Sequence, residues 1–468
     1  MNGATRPRSP NLRKITPRYQ ALPGVRAILL FFFIAHTISE TFADAIDLSA
    51  AVIVTDSSQI IHRNAAEMLR DEISSRTRIR LAIEESMPTQ GQVAIVLDRI
   101  DGPLMNGRTV PAAFPVPDQP EGYSIWVDSN NGETPTVCLA GRDARGVLYA
   151  VGRLLRNAEM GRDQLRLESA FGIATAPEYP LRGHQLGYRP KTNSYDGFTV
   201  EMWHQYIREL IVFGINAIEL VPPKSDDNDD SRHFPLSQLD MMVEMSRIAN
   251  SYGLDVWIWY PIIDDNQDAK TVERAIRERD LVFRSLPRID VVFVPGGDPG
   301  EVNPEQLFAS MSQQHEILTR YHGKAKIWVS PQGFDWRGYP MEVDKKIEGK
   351  GWMQLFYDIL HRDQPDWLGG VVYGPQISAT IAEVRANVPS RYPIRRYPDI
   401  AHTLDAQYWV PNWDPALYAT LGREPINPRP FDYAKIIRDW DEYTHGFITY
   451  SEGVNDDVNK CIWASLGW

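Results

Sequence analysis

Between residues 46 and 175 the chain alternates short apolar runs with amphipathic stretches. Runs such as QVAIVLD (92–98) and GYSIWVD (122–128) are rich in β-branched residues and bounded by turn residues, which is typical of strands. The stretches RNAAEMLRDEISSRT and RDARGVLYAVGRLLRNAEM place apolar residues three and four positions apart, which indicates helices. The pattern predicts a small N-terminal α/β domain over 46–175, whose polar residues form no obvious catalytic set.

Beyond a proline-marked linker at 175–183, eight near-continuous apolar runs follow, as expected of parallel strands that are buried on both faces. Most are separated by an amphipathic stretch such as TVEMWHQYIRELIVFG (199–214). Eight such repeats predict a (β/α)8 TIM barrel over 176–468, with a doubly wound sheet as the alternative. The runs are LRGHQLGY (181–188), AIELVPP (217–223), DVWIWYP (255–261), VVFVPGGD (291–298), KIWVSPQG (326–333), LGGVVYGPQ (368–376), YPIRRYPDI (392–400) and GFITYSEG (446–453).

The first 45 residues have the pattern of an export signal. Several basic residues precede the apolar stretch AILLFFFIAHTI (27–38), and Ala43 and Ala45 follow as an A-x-A pair. This apolar stretch is shorter than the roughly 20 residues that span a bilayer. We therefore expect a cleaved signal peptide and an exported protein, periplasmic or extracellular, with an uncleaved membrane anchor as the alternative.

Composition narrows the classes of function. The 468-residue chain has a formal net charge of −12, which argues against a general nucleic-acid binder. Its two cysteines, Cys138 and Cys461, are too few for a disulfide framework or a thiolate metal site. The sequence contains neither H-E-x-x-H nor G-x-S-x-G, which argues against a metal site of that type and against a serine esterase. We expect no metal and no other cofactor.

In a (β/α)8 barrel the carboxyl ends of all strands open on one face, where the chemistry takes place. The residues at these ends combine carboxylates, aromatic rings, amides and arginines. That mixture suits a carbohydrate, because rings stack on sugar faces and an arginine can hold a carboxylate through two hydrogen bonds. We expect these side chains to bind substrate: Arg182, His184, Gln185, Tyr188, Arg189, Glu219, Trp257, Trp259, Asp264, Trp328, Gln332, Tyr373, Gln376, Arg395, Asp399, His402, Asp456 and Asp457.

Hydrolysis of a glycosidic bond needs two carboxyl groups, one to protonate the leaving oxygen and one to activate water or attack carbon. Asp298 follows the fourth apolar run and two glycines, and Glu452 ends the eighth run, across the predicted ring. We predict that these two are the catalytic pair. The alternatives are a turn-forming aspartate at 298 and a structural acid at 452. Glu219 is a weaker candidate, since it can instead lie inside the barrel paired with Arg182.

Several stretches resemble known glycosidases. GYSIWVD…VCLAGRDARGVLYAVGRLLR, followed by a barrel, is similar to the N-terminal domain and barrel of family 67 α-glucuronidases and family 20 β-hexosaminidases. RGHQLGYRPKTNSYD, VFVPGGDPGE and ITYSEGVNDDVNK resemble segments of a bacterial α-glucuronidase-like group. Family 20 enzymes carry an adjacent Asp-Glu pair after strand four, whereas Pro299 follows Asp298 here, and family 67 enzymes use a glutamic acid as proton donor. The resemblance implies the fold and a two-carboxylate glycosidase, without a residue assignment.

These observations predict an exported glycoside hydrolase whose substrate is an oligo- or polysaccharide, in particular one containing an acidic sugar such as glucuronic acid. Arg182, Arg189 or Arg395 would then bind the sugar carboxylate. Two alternatives stay open. One is a β-N-acetylhexosaminidase-like hydrolase, and the other is a non-catalytic glycan-binding barrel, which shares the aromatic mouth but needs no paired acids.

Overall fold

The structure is a computed structural model in which the chain from Ala43 to Trp468 forms one compact unit. The residues it describes are 44–88, 91–129, 134–188, 195–225, 230–263, 268–297, 299–335, 345–401, 430–451 and 456–468. At 337–338, 341–342, 399 and 401 it describes the backbone alone. Within these residues, no helix combines the length and the apolar character needed to cross a membrane.

The N-terminal part contains nine strands and two helices within the described residues. The strands are β1 (Ala45–Asp47), β2 (Val52–Thr55), β3 (Ala82–Glu84), β4 (Ala94–Arg99), β5 (Tyr123–Asp128), β6 (Thr136–Gly141), β7 (Glu159–Gly161), β8 (Gln164–Glu168) and β9 (Gly172–Thr175), and the helices are α1 (Ile60–Thr77) and α2 (Ala144–Asn157). Six strands form a mixed sheet in the order β3-β2-β4-β6-β5-β9, with β5 antiparallel to both of its neighbours. Strands β1, β8 and β7 form a separate antiparallel sheet.

The second part begins with β10. Its strands are β10 (Leu181–Leu186), β11 (Ala217–Leu220), β12 (Asp255–Trp259), β13 (Val291–Pro295), β14 (Lys326–Ser330), β15 (Arg337–Gly338), β16 (Met341–Glu342), β17 (Lys346–Ile347), β18 (Lys350–Gly351), β19 (Leu368–Tyr373), β20 (Ile394–Arg396), β21 (Asp399–Ala401) and β22 (Gly446–Ser451). Its helices are α3 (Val200–Val212), α4 (Gln238–Ser251), α5 (Ala269–Ser285), α6 (Pro304–Tyr321), α7 (Trp352–Asp363), α8 (Ile381–Asn387), α9 (Pro430–Arg438) and α10 (Asp457–Leu466).

Eight parallel strands of this part close into a ring. Their order is β10-β11-β12-β13-β14-β19-β20-β22, and β22 pairs again with β10, which places Leu181 opposite Gly446 and His184 opposite Thr449. Each of the eight predicted runs contains one of these strands. The predicted (β/α)8 barrel with an N-terminal α/β domain is therefore confirmed, and the doubly wound alternative is wrong. The domain boundaries at 45 and 175 stay predictions.

Side chains alternate between the inside and the outside of the ring, as the two-residue period of a strand requires. Ile218 and Leu220 point outward into the core shared with the helices, whereas Trp257, Phe293 and Trp328 form an inner cluster. A Cβ at Gly370 would come within 2.6 Å of both the Pro393 carbonyl oxygen and the Trp328 ring, so glycine is what leaves room for that indole.

Most helices of the barrel begin at a short polar residue whose side chain accepts a hydrogen bond from a backbone N–H of the first turn. Those groups have no partner within the helix, so the cap stabilises the helix start. The capping residues are Thr199, Ser237, Asp268, Asn303 and Thr380.

A buried ionic network joins the N-terminal sheet to the amino end of β10. The fully buried Arg182 donates to Glu121 at 2.6 Å and to two backbone carbonyls at 2.6 and 2.7 Å. Arg145, on α2, donates to Glu121 at 3.0 Å and to Asp255 of β12 at 2.5 Å. The network therefore fixes α2 against the first and third strands of the barrel.

Trp468 packs over the same junction. Its ring centroid lies 5.3 Å from that of Tyr123 and 5.1 Å from that of Tyr149, and the Arg182 guanidinium carbon lies 5.2 Å from the Trp468 ring. The indole N–H donates to Thr175 Oγ1 at 3.0 Å. Trp468 thus contributes aromatic packing to the contact between the sheet and the barrel.

We predict that Glu121→Gln destabilises the protein, because it leaves the fully buried Arg182 without its counter-charge. Breaking one partner of a buried ion pair costs about 3–5 kcal/mol. The measurement is the free energy of unfolding in denaturant at pH 7. Glu168→Gln, at an exposed strand position, is the control and should change it by less than about 0.5 kcal/mol.

The ion pair between Glu121 and Arg182 also makes the stability of the fold depend on pH. Burial alone would raise the pKa of Glu121, but Arg182 and Arg145 outweigh it and hold the pKa below its ordinary value of 4.5. The charge therefore stabilises the fold at pH values above 4.5, and this contribution is lost as the pH falls through the lowered pKa. The gap between wild type and Glu121→Gln should narrow in acid. A difference in unfolding free energy that stays constant or widens as the pH falls would contradict this role of the Glu121 charge.

Candidate active site

A buried ion pair lies inside the barrel, between Glu219 of β11 and Arg395 of β20. Both side chains are fully buried, and Arg395 Nη2 donates to Glu219 Oε2. Gln185, in register with Glu219 on the neighbouring strand, donates from its Nε2 to Glu219 Oε1 at 3.1 Å and to the Tyr397 hydroxyl at 2.7 Å. Alternation along three strands therefore brings one connected polar cluster to the axis of the ring.

Aromatic rings enclose the Arg395 guanidinium. Its central carbon lies 4.7 Å from the ring centroids of Trp257 and Phe293 and 5.3 Å from that of Tyr397. Trp257 in turn lies 5.1 Å from Trp328. These cation–π contacts stabilise a desolvated charge. Trp257 and Trp328, which we expected to bind substrate, therefore contribute to the packing of the barrel interior.

Each partner of this pair counters the cost of burying the other. Burial raises the pKa of Glu219, and the neighbouring Arg395 opposes that rise. Burial lowers the pKa of Arg395, and Glu219 opposes that fall. The expectation that Glu219 pairs with Arg182 is wrong. With Glu219 as its partner, Arg395 is not placed to hold a sugar carboxylate, which corrects that expectation as well.

The loops that follow three neighbouring strands are fastened to one another at the carboxyl end of the ring. The Gly297 N–H donates to the Gln332 carbonyl at 2.7 Å, and the Gly333 N–H donates to the Gln376 carbonyl at 3.0 Å. Gln376 takes a φ of 56°, a backbone conformation that is uncommon for residues other than glycine. The backbone on both sides of the Gln332 side chain is thus held in place by hydrogen bonds.

Two further aromatic residues point inward near the same end. Trp259 of β12 and Tyr450 of β22 belong to the inner cluster, and the Tyr450 ring lies 5.6 Å from the ring of Tyr397. Of the predicted substrate-binding residues, the structure brings Gln185, Glu219, Trp257, Trp259, Trp328 and Arg395 into the barrel interior and Gln332 and Gln376 into the loops at its carboxyl end.

Three other predicted residues lie outside the wall of the barrel. His184 has its Nδ1 2.7 Å from Thr449 Oγ1, and burial lowers its pKa well below the ordinary value. Tyr188 stacks on Phe234 at 4.5 Å. The Tyr373 hydroxyl donates to the Ala379 carbonyl at 2.9 Å. A one-residue step along a strand turns a side chain to the other face. These three side chains therefore face away from the barrel interior, and a substrate role for them is not supported.

Arg182 lies at the wrong end of its strand for the predicted role. It belongs to the junction network at the amino end of β10, where it pairs with Glu121, whereas substrate in a barrel of this kind meets the carboxyl ends. We therefore correct the expectation that Arg182 binds a sugar carboxylate.

The acids that follow β22 take part in a second polar cluster, between the barrel wall and α10. Asp456 is 1% exposed and accepts from Asn459 Nδ2 at 2.9 Å, and burial raises its pKa. Asp457 accepts from the Tyr206 hydroxyl at 2.6 Å. Both acids therefore anchor the start of α10 rather than line the barrel interior.

Lys460 supplies the positive charge of this cluster. It is 1% exposed, and its Nζ donates to the Tyr195 hydroxyl at 2.9 Å. Burial alone would lower the pKa of Lys460, but Tyr195 and Asp456 outweigh it and raise the pKa. Neither Lys460 nor Tyr397 was among the residues predicted from the sequence. The signal for Tyr397 was its position two residues after Arg395, which a two-residue period places on the same inner face.

Five predicted site residues lie outside the described part of the chain: Arg189, Asp264, Asp298, His402 and Glu452. Only the backbone of Asp399 is described, in register with Tyr450. The catalytic roles of Asp298 and Glu452 thus stay predictions. Among the described residues, no group of three or more histidine, cysteine, aspartate or glutamate side chains is arranged to hold a metal ion.

Neither a protein-family model nor a curated protein matches the sequence. Solved structures do match. A GH115 4-O-methyl-α-glucuronidase, BtGH115A, with specificity for decorated arabinogalactans, has a TM-score of 0.58 at 13% identity, over 91% of this chain and 57% of that one. CpGH84B has a TM-score of 0.56 at 14% identity, over 91% of this chain and 68% of that one. A mutant Streptomyces plicatus β-hexosaminidase in complex with its product GlcNAc has a TM-score of 0.55 at 14% identity, over 91% and 87%.

These likenesses define the class of fold. This chain, an N-terminal α/β domain followed by a (β/α)8 barrel, is similar in fold to solved GH20, GH84 and GH115 glycoside hydrolases. The expected resemblance to glycosidases of this architecture is confirmed for the fold. At 13 to 14% identity the likeness extends to the fold alone.

We predict that Glu219 and Arg395 are strongly coupled in stability. Glu219→Leu or Arg395→Met alone leaves one buried charge without its partner and should cost about 3–5 kcal/mol, whereas the double variant that carries both substitutions should cost clearly less than either. Denaturant unfolding of the four proteins measures this. Glu273→Gln, which removes an exposed ion pair with Arg277, is the control. Additive losses in the double variant would contradict the coupling.

Proposed function

We propose that the protein is a glycoside hydrolase that acts at the carboxyl ends of its barrel strands. The observation that carries the proposal is the closed ring. Asp298 directly follows Gly297 after β13, and Glu452 directly follows Ser451 at the end of β22. These are the fourth and eighth strands, which lie opposite each other in a ring of eight. Two acids at those positions can flank one sugar from both sides.

The alternation of β22 supports an inward position for Glu452. Ile448 and Tyr450 both belong to the inner cluster, and the proposal extends this two-residue period by one step to residue 452. Asp298 follows two glycines, and the loop that carries them is tied to the Gln332 carbonyl. In the proposed reaction one carboxyl group protonates the leaving oxygen, and the other activates water or attacks the sugar carbon.

The interior of the barrel would form a water-poor surface below the proposed position of the substrate. The Glu219–Arg395 pair has no net charge and is surrounded by aromatic rings, so it places no uncompensated charge below the substrate. A low-dielectric floor strengthens the electrostatic effect of each carboxyl group on the developing positive charge of the sugar. The rings of Trp259 and Tyr450 are the proposed stacking surfaces.

The proposed identity of the sugar rests on fewer observations. An acidic sugar needs a cation, and with Arg182 and Arg395 already paired the proposal of a uronic-acid substrate now depends on Arg189. The presence of a glucuronidase among the similar structures supports a uronic-acid substrate. The alternative is an N-acetylhexosaminide, as the GlcNAc complex of another similar structure suggests. We also retain the proposal that residues 1–45 direct export.

We predict that Asp298→Asn and Glu452→Gln each lower kcat on a chromogenic glycoside about 100-fold or more, because removal of a positioned acid or base costs that much. Both substitutions preserve side-chain shape, so the measurement is the steady-state rate together with the melting temperature. Glu316→Gln, on an exposed position of α6, is the matched control and should leave kcat unchanged. Near-wild-type rates in both variants would remove the proposed pair and favour a glycan-binding barrel.

We predict that Arg189→Ala raises KM for a chromogenic glucuronide at least tenfold and leaves KM for a neutral glycoside unchanged, because only the former presents a carboxylate to a guanidinium. A panel of glucuronides, N-acetylglucosaminides and neutral hexosides provides the comparison. Turnover confined to N-acetylglucosaminides would reject the acidic sugar and support the alternative.

A further inference from the structure

A polar cavity of about 360 Å³ opens on the six-stranded N-terminal sheet. Its walls come from the last residue of β5, Asp128, from the first residue of β6, Thr136, and from the segment 103–108 after β4. Asp128 and Thr136 are register partners. The volume lies within the roughly 300–1,000 Å³ of typical ligand pockets and far exceeds the space of a single water.

The cavity lies on the sheet face opposite to α1 and α2. Trp126 and Cys138 belong to an apolar cluster that is separate from the core shared with the helices. Asp128 and Thr136 are each two residues away from them along the same strands and so share their face. This end of the sheet is also far from the barrel junction, because Asp128 is five residues, about 16 Å, from Tyr123.

Arg108 lines this cavity and supplies hydrogen-bond donors to it. Its side chain is 16% exposed, and its Nε donates to the Leu104 carbonyl at 3.2 Å. Its terminal nitrogens meet the Met87 thioether at 3.3 Å and an Asp128 oxygen at 3.5 Å, and the guanidinium also interacts with the Cys138 thiol. A thioether is a weak acceptor, and a guanidinium has five N–H donors. These contacts hold the group in place, and the N–H donors that they leave over are available to a ligand.

Asp128 supplies the complementary acceptors. Its side chain is 13% exposed, and an ionised carboxylate can accept about four hydrogen bonds. Arg108 and Asp128 together carry no net charge, so they favour a neutral ligand. A donor fork beside an acceptor pair matches neighbouring hydroxyl groups, which accept from one and donate to the other. Pro103 and Leu104 add an apolar wall against which C–H groups can pack.

We propose that this cavity is a secondary binding site for one neutral sugar unit of a glycan, separate from the barrel mouth. The choice of a sugar over another neutral polyol rests on the proposed function. Such a site would hold a polysaccharide on the N-terminal domain while a different part of the chain reaches the barrel, and so raise its effective concentration there.

Affinity electrophoresis of the intact protein tests this site. The probes are three neutral polysaccharides cast into the gel: arabinoxylan, galactomannan and glycol chitin. We expect at least one to retard the wild type, and Asp128→Asn and Arg108→Lys each to weaken the apparent affinity tenfold or more. Asp118→Asn and Arg162→Lys, at side chains that are 94% and 73% exposed, are the matched controls and should behave as wild type.

Melting temperatures verify that the variants fold, and kcat on a small chromogenic glycoside should stay at the wild-type value in all of them. Retardation that persists in both cavity variants, or no retardation by any of the three polysaccharides, would overturn the secondary site. Retardation that depends on Arg108 in a protein without glycosidase turnover would instead uphold the site and reject the proposed function.

Discussion

The hydrogen bonds between β22 and β10 are the constraint on which the rest of the structure depends. They join segments at residues 446–451 and 181–186, at opposite ends of the barrel sequence, and so convert a row of eight strands into a ring. In a ring, strands four and eight face each other, and residues that are far apart in sequence share one mouth. Without this pairing, the first and last strands would be sheet edges with unpaired backbone groups.

Ring closure creates an interior that side chains must fill. Here large aromatic rings fill most of it, and the remaining space holds Glu219, Arg395 and Gln185, connected to one another and to Tyr397. Such a cluster is tolerable because every charge in it has a partner, whereas a single buried charge would cost several kcal/mol. The same principle governs the junction, where Glu121 neutralises Arg182, and the outer cluster around Lys460. Three buried ionic clusters therefore stabilise the barrel interior, the junction with the N-terminal sheet and the start of α10.

The sequence predicted the fold better than the site. Strands buried on both faces leave continuous apolar runs, so all eight barrel strands were recognisable, including YPIRRYPDI with its two prolines. Whether a residue belongs to the site depends on the face of the strand to which its side chain points and on the residue that it pairs with. An apolar run in the sequence reveals neither. His184 and Gln185 are neighbours in sequence, yet one packs outside the wall and the other reaches the axis. Arg182 and Arg395 looked equally available, but each has a buried glutamate partner that only the folded structure brings near.

The central claim is that ring closure brings Asp298 and Glu452 to opposite sides of one sugar. A crystal structure with a bound glycoside analogue tests it most directly, through the distance between the two carboxyl groups. We predict a separation of about 5–9.5 Å, the range that glycoside hydrolysis requires, with the analogue between them. Carboxyl groups much farther apart, or directed into different pockets, would contradict the account.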